Sequence, residues 1–187
     1  IPLKMLPFDN KNELLLVLDL EEGTTLERTD AAVRDFERYL ASVPEIADVT
    51  SYVGIASPMD FNGMVRHYYL RRGGNVAELR VNLLGKKSRR MQRHAIGLPL
   101  RADLDALARK HGVSLKLVET PPGPPVLETL VAEVYGGPRH SYAESVDGAK
   151  GLRARFEKEP GVVDVDDSVE GAQRKLVFVA DKEKAAL

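Results

Sequence analysis

The feature that most constrains this chain is a repeated pattern. Pro44-Glu45-Ile46-Ala47-Asp48-Val49 and Pro160-Gly161-Val162-Val163-Asp164-Val165 stand 116 residues apart, each after an amphipathic run and before an apolar one. With that shift and no gaps, Leu14 falls on Leu130, Leu18 on Val134, Val33 on Ala149, Phe36 on Leu152 and Leu40 on Phe156. A strand, a helix, a proline stop and a second strand therefore stay in register, as a duplicated βαβ unit requires. The helix starts alone slip, by one residue. Two βαβ halves in a small domain point to an α+β fold, the ferredoxin-like split βαβ sandwich: an antiparallel sheet with helices on one face.

The elements follow from periodicity. Leu14–Leu20 is a short buried strand. Thr24 with Glu27 has capping-box spacing and opens a helix with Val33, Phe36 and Leu40 on one face, stopped by Pro44. Val49–Val53 is the second strand. Ile55–Gly63 carries turn formers and is a loop; His67–Leu70 is a brief strand candidate, and Arg71–Asn75 a turn. In Glu78–Leu84, Leu79, Val81 and Leu83 alternate as in a half-buried strand. A long helix spans about Ser88 to Lys110, with Gly97 and Pro99 set to kink or split it. Val113–Val118 is the next strand.

The proline cluster Pro121-Pro122-Gly123-Pro124-Pro125 cannot continue a sheet and is a stiff connector. Beyond it, strands are expected at Leu130–Tyr135, Val162–Val169 and Lys175–Ala180. A helix starting from the Ser141/Glu144 capping box turns Ala149, Leu152 and Phe156 inward. The division is then a lead-in at 1–12, a first sandwich at 13–120, a joint at 121–128 and a second, incomplete sandwich at 129–187. That second unit should be poorly closed, with an uncovered apolar face. Neither the start at Ile1 nor the helix turn beginning at Asp181 reads as a natural terminus, so the chain is expected to be a piece of something longer.

Chemistry is sparse. With no cysteine in the chain, disulfides, thiolate metal sites and cysteine nucleophiles drop out together. His67, His94, His111 and His140 show no metal spacing, and Met5, Met59, Met64 and Met91 read as gap-fillers. Gly73-Gly74 lacks the rest of a phosphate loop, and no serine sits in a nucleophile elbow. Asp164, Asp166 and Asp167 read as a solvated strand edge. No enzyme activity, cofactor or metal centre is expected. The one dense basic run, Lys86–Arg93, could contact a partner protein. RNA binding is disfavoured because the net charge is −1 and the aromatic strand signature is missing. A free-standing ligand- or RNA-binding module of tandem ferredoxin-like domains is the alternative reading. No run of about 18 apolar residues is present to span a bilayer.

Three stretches together resemble one family. Leu6-Pro7-Phe8-Asp9-Asn10-Lys11 precedes a strand, Glu22–Glu27 and an amphipathic helix. Val134-Tyr135-Gly136 opens a new βαβ after the proline joint, and Phe178–Leu187 closes the chain as a strand and helix start. In that order they resemble the second large periplasmic loop of resistance-nodulation-division efflux transporters, over essentially the whole chain. The resemblance implies porter subdomains of a proton-driven inner-membrane trimer in a Gram-negative bacterium, on the multidrug, acriflavine-resistance side of the family. The implied partners are a periplasmic adaptor (membrane fusion) protein, an outer-membrane channel and small apolar substrates. By position, Gly54–Gly63 matches the family's glycine-rich switch loop, which makes Tyr52, Gly54, Met59, Phe61 and Gly63 candidates for the substrate path. Heavy-metal exporters of the family use a methionine cluster, one member of which is expected just before Pro121. Here Glu119-Thr120 stands there, which disfavours the metal branch.

Overall fold

A computed structural model describes residues 11–88, 93–119, 128, 130–169, 171 and 176–185. Strand β1 (Glu13–Asp19) leads to helix α1 (Leu26–Leu40), strand β2 (Ile46–Ile55), the short helix α2 (Phe61–Val65) and strand β3 (Arg72–Leu83). Helix α3 (Arg93–His111) and strand β4 (Ser114–Val118) follow, then α4 (Tyr142–Phe156) and α5 (Lys182–Ala185). The four strands form one antiparallel sheet in the order β2-β3-β1-β4. That is the strand order of a split βαβ sandwich, as the doubled βαβ pattern implies.

The register sorts the side chains into two faces. Leu14, Leu16 and Leu18 lie opposite Val81, Leu79 and Ala77, and all six are buried. Against this face α1 packs Thr29, Ala32, Val33, Phe36 and Leu40, while α3 contributes Ile96, Leu100, Leu104 and Ala108. Burying one such aliphatic or aromatic side chain contributes about 1.5–3 kcal/mol, so these stripes hold the layers together. Helix α3 runs unbroken through Pro99. Leu100 and Leu104 beyond the proline and Ile96 before it are anchored in the same core, which offsets the one hydrogen bond the ring removes.

The helix starts correct the one-residue slip. The N-cap of α1 is Thr25, whose hydroxyl accepts the Arg28 N–H; Thr24 instead donates to the Glu21 carbonyl at 2.6 Å. The N-cap of α4 is Ser141, with the reciprocal Glu144 contact of a full capping box. Both helices are 15 residues long and start 116 residues apart, in step with the rest of the repeat.

Five segments differ from their sequence patterns. His67–Leu70 is no strand: His67 takes a left-handed conformation (φ 59°) and Tyr68–Leu70 form a 3-10 turn. Arg71–Asn75 is no isolated turn, because β3 already starts at Arg72, where the chain pairs with Ile55. The segments 130–135, 162–169 and 176–180 have no strand pairing among the described residues. An apolar run becomes a strand only beside a paired neighbour, and here Tyr135 and Phe178 stay 83% and 92% exposed. Helix α4 turns its expected face, Ala149, Leu152 and Phe156, to the more covered side, yet buries no residue fully.

Candidate functional site

The β2–β3 hairpin opens into a long loop. Its neck is closed by the Ile55–Arg72 pair and by the Ala56 N–H donating to the Arg71 carbonyl at 3.1 Å. Gly54 sits at the neck, next to a register shift of β2, with φ 79°. Within the loop, Asp60 caps α2 by accepting the Gly63 N–H at 2.6 Å. The sequence pattern has only a loop through Gly63; this cap, followed by an apolar turn, makes the short helix.

The loop is fastened to the sheet face opposite the helices. On that face β3 presents Glu78 and Arg80, alternating with the core residues Leu79 and Val81. The Glu78 carboxylate, 1% exposed, accepts the Ser57 N–H at 2.9 Å and faces Arg71 Nε at 3.3 Å. Arg80 donates to the Pro58 carbonyl at 2.7 Å and to Asp60 at 3.1 Å, and pairs with Glu13 at 2.9 Å. Arg71 holds Asp19 through both terminal nitrogens, at 2.7 and 3.0 Å. Lys116 lies between Asp19 and Asp166. Burial opposes its charge, but the contacts with Asp166 and Asp19 prevail and hold its pKa above the usual lysine value.

This arrangement places the sequence candidates as follows. Tyr52, on β2 opposite Glu78, is half-buried. Met59 lies between the two points fixed by Arg80 and is 61% exposed; Phe61 opens α2 and is 64% exposed. Gly63 is the residue that Asp60 caps. Ile55, Met64, Tyr69 and Leu70 on the same excursion are exposed as well. One loop thus displays six large apolar side chains outward while its backbone is tied down by charged groups. Such a display suits contact with apolar molecules. Sequence reasoning singled out Met59 and Phe61 but not Ile55, Met64, Tyr69 or Leu70, and it missed the anchors, Arg71, Glu78 and Arg80. The available signal was the charge at alternate positions of a strand whose other face is core.

The acidic run is a further correction. Asp164 grips the Arg101 guanidinium at 2.6 and 2.9 Å, Asp166 pairs with Lys116, and Asp167 accepts from Arg153 at 3.1 Å. It is an ion-paired seam rather than a solvated edge, because its partners lie 14 to 63 residues away in the chain. On the helix side, a cavity of about 250 Å³ opens between the end of α1 and α3, lined by Val43, Pro44, Ile96, Pro99 and Leu100. At its rim the Tyr39 hydroxyl donates to Asp103 at 2.7 Å; burial first and that bond second push the phenol up to about 12. Among the described residues, no three His, Asp or Glu side chains gather as a metal site. The basic run falls largely outside the described residues; Lys86 and Lys87 lie exposed in a turn.

No family model matches the sequence, and no curated protein that was searched matches it. Among solved structures, the X-ray crystal structure of a heavy metal efflux pump matches with a TM-score of 0.65 at 18% sequence identity. The match covers 97% of this chain and 18% of that pump. The chain therefore has the fold of one stretch of an efflux pump, spanning under a fifth of its length.

Proposed function

We propose that this chain is part of the periplasmic porter region of a proton-driven resistance-nodulation-division efflux transporter, in the inner membrane of a Gram-negative bacterium. Residues 13–120 form its first ferredoxin-like subdomain and 129–187 part of the next. The loop that carries Met59 and Phe61 is its switch loop, and Tyr52, Gly54 and Gly63 set the loop's frame. The chain handles substrate by contact and catalyses no reaction. The whole transporter works as a homotrimer with a periplasmic adaptor and an outer-membrane channel. The observation that carries this reading is the efflux-pump match over 97% of the chain. The exposed apolar loop supports it independently.

The test has two steps. Flanking coding sequence should contain apolar stretches of about 20 residues, enough to cross a membrane; a gene without them refutes the reading. In the complete transporter, Phe61→Ala should change which dyes and drugs an efflux-deficient host survives, at unchanged protein level. An unchanged profile counts against this loop as substrate surface.

A second reading concerns cargo alone. The matched pump exports heavy metals, and Met59 and Met64 hold two exposed thioethers, which are soft donors. Met59→Leu with Met64→Leu keeps bulk and apolarity but removes sulfur. Loss of metal tolerance with organic efflux intact favours metal cargo; the opposite result favours small apolar substrates.

A further inference from the structure

We propose that Glu78 is a positioning residue for the Met59–Phe61 loop, holding both arms of the loop neck with one carboxylate. Its functional weight rests on reading that loop as a substrate surface. Glu78 lies in the middle of β3, flanked across the sheet by Val17, which is fully buried, and by half-buried Tyr52. A carboxylate in such a place is costly to desolvate, and an apolar side chain of similar size would fill it at lower cost. What the charge provides is directional contact. One oxygen accepts the N–H of Ser57, on the outgoing arm. The other faces the guanidinium of Arg71, on the returning arm. Arg71 also accepts the Ala56 N–H in the hydrogen bond that closes the neck, and Ser57 is the residue after Ala56.

Two residues further along the same face, Arg80 ties down Pro58 and Asp60. Met59 is thereby held between the Pro58 carbonyl and the Asp60 carboxylate, with its side chain exposed. Removing the Glu78 carboxylate strands the buried Ser57 N–H and leaves Arg71 held by Asp19 and the Leu18 carbonyl. Arg80 and the Ala56–Arg71 hydrogen bond then hold the outgoing arm. Glu78 and the Ser57 N–H it holds belong to the sheet face opposite the helix-side core, so the loop loosens while the sheet stays intact.

The experiment is amide hydrogen exchange on this chain, read residue by residue by NMR, for the parent, Glu78→Ala and Glu78→Gln. In Glu78→Ala the Ser57 amide should exchange about 10- to 100-fold faster, the range set by losing a hydrogen bond to a charged acceptor. Gly63 and Met64 should follow, while Leu16 and Leu79 keep their protection. Glu78→Gln retains a carbonyl oxygen for Ser57 and should restore most of the protection there. The proposal is overturned if Ser57 exchanges as fast in the parent as in Glu78→Ala. It is also overturned if both variants loosen the sheet amides together with the loop, since Glu78 would then serve the fold as a whole. No transport measurement enters, so failure here leaves the porter assignment standing, and failure of that assignment leaves the anchoring intact.

Discussion

Gly54 offers a prediction whose size follows from two separate distortions. Its φ of 79° lies where an L side chain is strained, at a cost of about 1–2 kcal/mol. A Cβ built there would also stand 2.6 Å from Cδ1 of Leu26, the first residue of α1. Leu26 is about half exposed and can swing aside, for about 0.5–1.5 kcal/mol of rotamer strain. Against this, alanine restricts the unfolded chain and returns about 0.4–1 kcal/mol. Gly54→Ala should therefore destabilise by about 1–2.5 kcal/mol. Gly23→Ala is the control: its φ is 88° and nothing lies within 4 Å of the added carbon. It should cost only the backbone part, about 1 kcal/mol or less once the same alanine gain is subtracted. Urea unfolding with a common slope measures both. Repeating Gly54→Ala in a Leu26→Ala background should bring its cost down to that of Gly23→Ala, a coupling of about 1 kcal/mol. If Gly54→Ala is no worse than Gly23→Ala, or its cost does not change when Leu26 is truncated, the clash argument is wrong.

Other outcomes follow from the ion pairs. Asp35 is held well below the usual carboxylate range by Lys110 first, then His111 and Arg38; its folded pKa is lowered, so its contribution to stability is full above the ordinary carboxylate value and drains as pH falls below it. Asp35→Asn should flatten the acid limb of the stability curve, and an unchanged limb contradicts the assignment. Tyr39 should ionise near pH 12, above the ordinary tyrosine value, in an ultraviolet titration. Because that pKa is raised, its contribution is intact below the ordinary value and is lost as pH rises toward 12; Tyr39→Phe should remove one tyrosine from the late-titrating amplitude, leaving Tyr135, which its bond to Glu133 also raises. Arg101→Gln and Asp164→Asn should show a coupling of about 1 kcal/mol, since the bidentate pair is about a quarter exposed. Additive effects would mean that the seam is not formed in solution.

Much of the first sheet was readable because its elements are written in short-range periodicity. Leu79, Val81 and Leu83 alternate, and Val33, Phe36 and Leu40 recur at helical spacing, whatever the rest of the chain does. The misread segments are those where a distant contact decides. Tyr68 and Tyr69 favour strands intrinsically, yet the left-handed turn at His67 bends them into a 3-10 turn. Gly73 and Gly74 punctuate the sequence like a turn, but pairing across to β2 draws that stretch into β3. The same holds for the loop. Met59 and Phe61 stand out as apolar residues among turn formers, whereas the carboxylate that fixes them is an ordinary glutamate in sequence and becomes an anchor only once Ser57 and Arg71 arrive on either side.

The position of β1 sets an order of events in folding. Its residues pair with β3 on one side and with β4 on the other, Leu15 meeting Arg80 and Val118. Strand β1 is thus among the last of the sheet to be completed, since its second neighbour emerges only after three helices and two strands have been made. Such high contact order slows folding. Until then, Leu14, Leu16 and Leu18 form a sticky nascent segment that a chaperone, or rapid closure of the β2–β3 hairpin nearby, must shield.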